Sequence, residues 1–308
     1  MTPRLPALAV TVPQFRQRPD DALATFEHAH SLGFAGAFLF DHLWPLGEPA
    51  RPALECWTLL AALAARLGRL GGSAGAAEPF HLGTLVTRAG LRPPALLAHM
   101  ATTAGQVAGG RVIVGLGMGD AANRAENEAF GLPYHQDPVA RAAELVRSVA
   151  ALRGSGAGSA AAEVWVGGAG HRARGLAGRL ADAWNGWGLT VGELATALVE
   201  VGRAAEDAGR DPAEVAGTWA GQVLLAEGTA EARALLSRWG AGRPAEEVGR
   251  VVAGDPATVV GRLAELGEAG AKWCVIAPVG GSGATMRALL AEAAALAPRV
   301  MSDRAAGG

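Results

Sequence analysis

The sequence has few of the residues that build covalent or metal-bound sites. It contains two cysteines, Cys56 and Cys274, both in apolar runs. Two such cysteines do not make a disulfide framework and are typical of buried thiols. His28 and His30 are two positions apart in a helical stretch, so they point to different sides of it. No Cys/His cluster has metal-ligand spacing, and the sequence therefore predicts no metal site.

Charge and long apolar runs are also scarce. Charged residues make up 18% of the 308 positions, and the net charge is -2. There is no basic excess to hold a phosphate backbone, so no nucleic-acid partner is predicted. No run reaches the about 18–20 apolar residues of a membrane helix, and the N-terminus lacks the apolar core of a signal peptide. We expect a soluble, cytoplasmic protein without a membrane partner.

What the sequence does have is a regular alternation of short apolar runs and longer amphipathic stretches. Eight alternations in about 300 residues predict an α/β fold of the (β/α)8 TIM-barrel type, with a doubly wound open sheet as the alternative. We expect one domain over 1–308, with a flexible loop at 71–78 and a frayed tail at 302–308. The predicted strands are 8–12, 36–40, 82–87, 112–116, 164–166, 183–187, 218–226 and 273–277, and the predicted helices are 20–32, 55–67, 94–107, 138–152, 172–181, 192–208, 229–239 and 256–269.

The carboxyl ends of the predicted strands carry the candidate chemistry, because barrel enzymes place their active sites there. Asp41, His42 and Trp44 follow the second strand, and Asp120 follows the fourth. The single lysine, Lys272, stands at the opposite end of the last strand. A Schiff-base enzyme needs its lysine near the carboxyl end, so the position of Lys272 argues against an aldolase.

Two glycine-rich loops follow the fourth and fifth strands. In 167–175 (GGAGHRARG), glycines let the backbone approach a ligand, and successive N–H groups with the next helix start can bind an anion beside Arg172 and Arg174. A tight turn with two solvated arginines is the alternative. The spacing in 115–124 (GLGMGDAANR) does not fit a dinucleotide fingerprint. Its glycines would keep the mouth open to a flat ring, with Asp120 facing that ring or capping the loop.

Four segments in order resemble the luciferase-like monooxygenase superfamily, and most of all its branch that depends on the deazaflavin coenzyme F420. The middle segment is the most specific, since it combines a strand ending in LGT-x-V, an arginine, a helix, GGR and a glycine-rich strand end. The four segments are GFAGAFLFDHLWP, LGTLVTRAGLRPPALLAHMATTAGQVAGGRVIVGLGMG, VWVGGAGHRARGLAGRLADAWNGW and DPATVVGRLAELGEAGAKWCVI.

The resemblance implies a reduced flavin or deazaflavin at the barrel mouth. It implies a non-prolyl cis peptide at Leu85–Val86 behind the ring, His42 at the reactive face, and Asp120 as an acid or base. Gln14 stands where the sugar-phosphate members carry an acidic residue, so their substrate is not expected here. The implied cofactor contacts are Asp41, Leu85, Val86, Thr87, Gly117, Gly119, Gly167, Gly168, Ala169, Gly170 and Arg172, and the implied substrate walls are Trp44, Trp184 and Trp187.

Three functions remain open from the sequence. The first is hydride transfer between F420 and a small organic substrate. The second is an FMN-dependent two-component monooxygenase that uses oxygen, and the third is a non-catalytic flavin-binding barrel. The first two would rely on a separate F420 or flavin reductase. The resemblance also implies a homodimer packed through outer helices, for which the apolar helix at 54–67 is a candidate.

Overall fold

The chain forms a closed parallel β-barrel surrounded by helices. The computed structural model describes residues 5–15, 18–45, 48–49, 51–70, 79–154, 162–279, 291–292 and 295, so the predicted loop at 71–78 and tail at 302–308 lie outside the described residues. The strands are β1 (Ala7–Thr11), β2 (Gly36–Leu39), β3 (His81–Arg88), β4 (Val112–Gly117), β5 (Glu163–Gly167), β6 (Ala183–Trp187), β7 (Ala216–Leu225), β8 (Val252–Gly254) and β9 (Ala271–Pro278).

Most of the helices return the chain from the carboxyl end of one strand to the start of the next. Two 3-10 turns, Ala121–Asn123 and Pro212–Glu214, supplement them. The helices are α1 (Pro19–Ser31), α2 (Cys56–Leu70), α3 (Pro94–Val107), α4 (Arg124–Ala129), α5 (Pro138–Gly154), α6 (His171–Leu180), α7 (Val191–Glu206), α8 (Thr229–Gly240), α9 (Ala245–Gly249) and α10 (Pro256–Glu268).

Strand pairing confirms the predicted (β/α)8 barrel. β1 to β7 pair in sequence order, and β9 pairs with both β7 and β1, which closes the ring. β8 pairs with the upper end of β7 outside this ring. All eight predicted strands and all eight predicted helices are present. The sequence did not indicate β8, α4 or α9, which are too short to show a hydrophobic period.

Local signals account for several helix starts. The Asp255 side chain accepts a hydrogen bond from the Thr258 N–H, with Pro256 at the first helical position of α10. Thr190 and Glu193 form a capping box at the start of α7. Both arrangements satisfy backbone N–H groups that have no partner inside the helix.

Large aromatic side chains fill the barrel axis below the mouth. Phe38 stacks on Trp165 with ring centroids 5.1 Å apart, and Trp273 meets Trp165 edge to face at 5.5 Å. We call these three residues the aromatic floor. The inward residues nearer the carboxyl ends are small, and they include Gly117 and Gly167. Because the inward side chains become smaller towards the carboxyl ends of the strands, the mouth of the barrel stays open. None of the helices described is long and apolar enough to span a bilayer.

Candidate active site

A histidine–glutamate pair lies at the mouth. His42 Nδ1 is 3.1 Å from Oε2 of Glu126, which α4 carries. The Glu126 side chain is 1% exposed and that of His42 is 18% exposed. A carboxylate can only accept, so Nδ1 carries the proton of this hydrogen bond. Nε2 has no hydrogen bond to the described part of the chain and is free to accept or donate a proton.

Glu126 is held by several further donors. The backbone N–H of Leu43 donates to Oε1, and that of Trp44 does so at 3.2 Å. Arg88 forms an ion pair with Oε2 at 3.0 Å. Burial raises the pKa of Glu126, but the hydrogen bonds from His42 and Leu43 and the charge of Arg88 bring it below its ordinary value. Glu126 is therefore an ionised carboxylate that fixes both the loop after β2 and the ring of His42.

Asp41 is structural and does not face the mouth. Its carboxylate is 1% exposed, and its two oxygens accept from Arg92 at 2.7 and 3.2 Å. Arg92 also donates to Glu55 at 2.6 Å, at the start of α2. This network of ion pairs ties the end of β2 to the starts of α2 and α3. The Asp41 carboxylate is therefore engaged with Arg92, and the cofactor contact expected of Asp41 stays a prediction.

The predicted cis peptide is present between Leu85 and Val86. The pairing with β4 shifts register between Thr84 and Thr87, as a bulge requires. The Val86 side chain projects into the mouth, where a Cβ on Gly117 or Gly167 would lie 2.5 or 2.8 Å from it. We call Val86, Gly117 and Gly167 the Val86 platform. It offers an apolar surface with no neighbouring side chain on β4 or β5 to cover it.

The residues flanking Val86 face other parts of the protein. Leu85 packs inside the barrel with the aromatic floor. Thr87 is fully buried and accepts a hydrogen bond from the Trp57 indole N–H at 3.0 Å, on the side of α2. The Thr87 side chain thus points away from the mouth, and the cofactor contact expected of Thr87 stays a prediction. The extra residue of the bulge brings Val86 inward and turns Thr87 outward.

The glycine-rich loop after β5 leads directly into α6. Gly168 has φ +140°, a conformation that favours glycine, and its carbonyl accepts from the Trp184 indole N–H at 3.0 Å. Arg174 donates to the Ala169 carbonyl and pairs with Glu200 at 2.6 Å. Arg172 is half-buried and has no such partner in the described part of the chain. Gly170 precedes the first turn of α6, whose N–H groups stay available to a ligand.

Trp184 points away from the barrel interior. It is fully buried among the side chains between the barrel and the helices. The inward neighbour on β6 is Ala183, and alternate residues of a strand face opposite sides. The contact with the Gly168 carbonyl makes Trp184 a support for the glycine-rich loop. Its expected role as a substrate wall stays a prediction that this buried position does not support.

Asp120 is exposed and acts as a cap. Its carboxylate accepts from the Ala122 N–H at 2.9 Å at the start of the 3-10 turn. Its carbonyl accepts from the Tyr134 hydroxyl at 3.1 Å. Gly119 just before it has φ +65°, so the turn requires glycine there. Asp120 thus caps the loop, and its expected role as an acid or base stays a prediction, whereas Glu126 is the carboxylate that contacts His42.

An aromatic row runs from His42 across the mouth. Phe15 meets His42 at 6.3 Å between centroids and stacks on Phe40 at 5.9 Å, and Phe40 meets Trp187 at 5.7 Å. The amide of Gln14 bonds to both the N–H and the carbonyl of Phe40, at 2.6 and 3.0 Å. Gln14 therefore supports the row and does not serve as an acid. On the opposite side, Trp44 packs against Phe130 at 5.7 Å.

Fold and site together define a parallel-barrel protein with a carboxylate-held histidine beside an apolar platform at its carboxyl-end mouth. Residues 3–251 match the family described as luciferase-like monooxygenase, and the chain belongs to that family of oxidoreductases. The resemblance seen in the sequence is thus confirmed.

Two curated relatives with named activities are similar to part of the chain. The phthiodiolone/phenolphthiodiolone dimycocerosates ketoreductase of Mycobacterium kansasii is 33% identical over 184 residues, which is 52% of this chain and 47% of the relative. The F420-dependent glucose-6-phosphate dehydrogenase of Beutenbergia cavernae is 33% identical over 139 residues, 44% of this chain and 37% of the relative. The chain thus spans about half the length of the curated relatives it matches.

A solved structure shares the fold over nearly the whole chain. An F420-dependent secondary alcohol dehydrogenase, in complex with an F420-acetone adduct, superposes with a TM-score of 0.75. The match covers 94% of this chain and 98% of that one at 17% identity. At this identity the likeness concerns the fold alone.

Proposed function

We propose that this protein transfers a hydride between coenzyme F420 and the carbonyl carbon of a small organic substrate, or its alcohol in reverse. The observation that carries the proposal is the His42–Glu126 pair at the same mouth as the Val86 platform. Two relatives named as a ketoreductase and as an F420-dependent dehydrogenase support it.

The residues at the mouth fit a flat cofactor with an anionic tail. A ring can lie on Val86 because Gly117 and Gly167 carry no Cβ there. Gly168 to Gly170, the first turn of α6 and Arg172 would hold a phosphate, since a helix start with free N–H groups favours an anion. When bound, F420 would supply or accept the hydride. Arg172 is the charged residue of this set without a protein partner among the described residues.

The protein's own part in the reaction is proton transfer and orientation. His42 Nε2 would give a proton to the carbonyl oxygen as the alcohol forms, and would take it back in the reverse direction. Glu126 holds the ring with Nε2 directed away from it, and its charge stabilises the protonated imidazole. Phe15, Phe40 and Trp187 would line the substrate side and exclude water.

An FMN-dependent monooxygenase is the second candidate, because the family is described as luciferase-like monooxygenase. It would use the same platform and the same loop, with oxygen as a second substrate. A separate reductase would supply the reduced cofactor in either case.

Fluorescence titration with F420 and with FMN separates the candidates. We expect micromolar F420 binding and much weaker FMN binding. Arg172→Gln should weaken F420 binding about tenfold or more, since a charge-assisted hydrogen bond to phosphate is lost. Arg179→Gln, which removes the same charge at the other end of α6, should leave it unchanged. Tight FMN binding without F420 binding would favour the monooxygenase, and binding of neither would favour a non-catalytic barrel.

A further inference from the structure

A cavity adjoins the aromatic row and shares Trp187 with it. It has a volume of about 330 Å³ and lies where β6 and β7 end, beneath α9. Trp187, which is 40% exposed, and Pro244 give it apolar walls. Gln222 lines it from β7. A volume of this size suits part of a small molecule.

The aromatic row places this cavity within reach of His42. Phe40 and His42 are two residues apart in the chain, so their Cα atoms lie at most about 7 Å apart. Phe40 touches Trp187, and Trp187 borders the cavity. A single substrate of modest size can therefore have its reacting carbon beside His42 and its remote end in the cavity.

The charges around the cavity are already paired with one another. Arg250 donates to Glu193 at 2.9 and 3.2 Å and to Glu246 at 3.1 Å. Glu247 accepts from Arg243 at 2.8 Å. No unpaired charge among the described lining residues is left to compensate a charged ligand. A charged group entering the cavity would lose hydration without gaining a partner.

Gln222 is the exception to this internal pairing. Its side-chain amide lines the cavity and has no hydrogen bond within the described part of the chain, although it is half-buried. An amide offers one acceptor and two donors. It can therefore bind a hydroxyl or a carbonyl that enters along the apolar wall.

We propose that the cavity is the specificity pocket for the substrate's remote segment. That segment is uncharged and mainly apolar, packs against Trp187 and Pro244, and carries a hydroxyl or carbonyl that bonds to Gln222. This inference rests on the proposed function, because it assigns the reacting end of the same molecule to His42. The pocket would select neutral, elongated substrates over small or anionic ones.

Straight methyl ketones from 2-pentanone to 2-decanone test the proposal, together with their ω-hydroxy and ω-carboxy derivatives. Binding is measured by calorimetry with cofactor-free and F420-saturated protein, and turnover with reduced F420. We expect affinity to rise about three- to fourfold per methylene until the cavity is full. The ω-hydroxy compounds should bind about two- to tenfold more tightly than alkyl chains of equal length, and ω-carboxy compounds should bind most weakly.

Variants assign these effects to residues. Trp187→Ala should flatten the dependence on chain length. Gln222→Leu should abolish the hydroxyl preference while keeping the length dependence. Gln106→Leu, the same change on the exposed side of α3, should alter neither.

The two proposals fail separately. A flat length dependence in wild type, an unchanged hydroxyl preference in Gln222→Leu, equal binding of the ω-carboxy compounds, or no binding of any compound would overturn the specificity pocket. Ketone binding with the expected pattern but without F420 binding would leave the pocket in place and overturn the proposed function.

Discussion

At the scale of single residues, His42 depends on a carboxylate that lies 84 positions later in the chain. Glu126 accepts from His42 through one oxygen and from the loop after β2 through the other. The position of the histidine and its protonation pattern are therefore set by one buried side chain. Loss of the Glu126 charge should therefore lower kcat more than it lowers the affinity for the cofactor.

We predict that Glu126→Gln lowers kcat by about 10²- to 10⁴-fold, because a general acid loses its orienting carboxylate. F420 affinity should stay near normal. His42→Ala should reduce kcat by a similar factor, and the double variant should be no slower than His42→Ala alone, since the two residues act as a unit. Steady-state kinetics and F420 titration measure these effects.

Glu128→Gln is the matched control on the same helix. Glu128 is exposed and pairs with Arg124 on the surface, so its variant should keep full activity. Additive losses in the double variant would contradict the coupling of His42 and Glu126.

The sequence indicated His42 but not Glu126. A histidine that directly follows a buried strand stands at the mouth in any barrel, so position alone predicts it. Glu126 lies in α4, which has six residues and shows no hydrophobic period. The orientation of Thr87 and Trp184 was missed for a related reason, because strand ends can be located from sequence while the side that each residue faces cannot.

At the scale of elements, the Val86 platform depends on the glycines of β4 and β5. We predict that Gly167→Ala destabilises the protein by about 1–3 kcal/mol, because its Cβ would lie 2.8 Å from a Val86 methyl group. F420 binding should weaken as well. Adding Val86→Ala should recover much of the lost stability by removing that methyl group. Denaturant unfolding and F420 titration check both effects.

Gly261→Ala in α10 is the control, because nothing lies within 4 Å of its added Cβ. It should be neutral or slightly stabilising, as expected for alanine in a helix. If Gly167→Ala and Gly261→Ala changed the free energy of unfolding equally, the contact with Val86 would not be the reason that position 167 requires glycine.

The Arg250–Glu193 contact links the segment after α9 to the start of α7. Arg250 and the Thr190 N–H lower the pKa of Glu193 to about 2. Because this pKa lies below that of an unfolded glutamate, the contact stabilises the fold above about pH 4.5. That contribution is lost as the pH falls towards 2.

We therefore expect Arg250→Gln to be less stable than wild type at neutral pH. The difference should shrink as the pH is lowered from about 4.5 towards 2. Denaturant midpoints across this range give the measurement. A difference that stays constant with pH would show that Arg250 acts through packing and not through Glu193.

At the scale of the whole molecule, the barrel was predictable because its strands are short apolar runs that alternate with longer amphipathic helices. The short elements were not, although they shape the site. α4 brings Glu126 to His42, and α9 covers the cavity beside Trp187. Local sequence patterns predict the strands and helices of the barrel. The candidate site depends on contacts between segments that are distant in the chain, and local patterns do not predict these.

The homodimer implied by the family resemblance stays a prediction. Leu59, Leu60 and Leu63 of α2 are buried on the barrel, so they are not available to a partner. Leu96 and Val107 of α3 are 49% and 46% exposed and could pack against a second copy. If a dimer forms there, Leu96→Glu should halve the mass measured by light scattering. Val199→Glu, a matched change on α7, should not.

The aromatic floor has a kinetic consequence. Phe38, Trp165 and Trp273 seal the barrel axis from below, so the mouth is the entrance for every molecule that reaches the Val86 platform. Under the proposed function, a ring resting on Val86 would lie beneath a substrate held by the aromatic row. We then expect the cofactor to bind first and to leave last, so that a dead-end substrate analogue should slow its release.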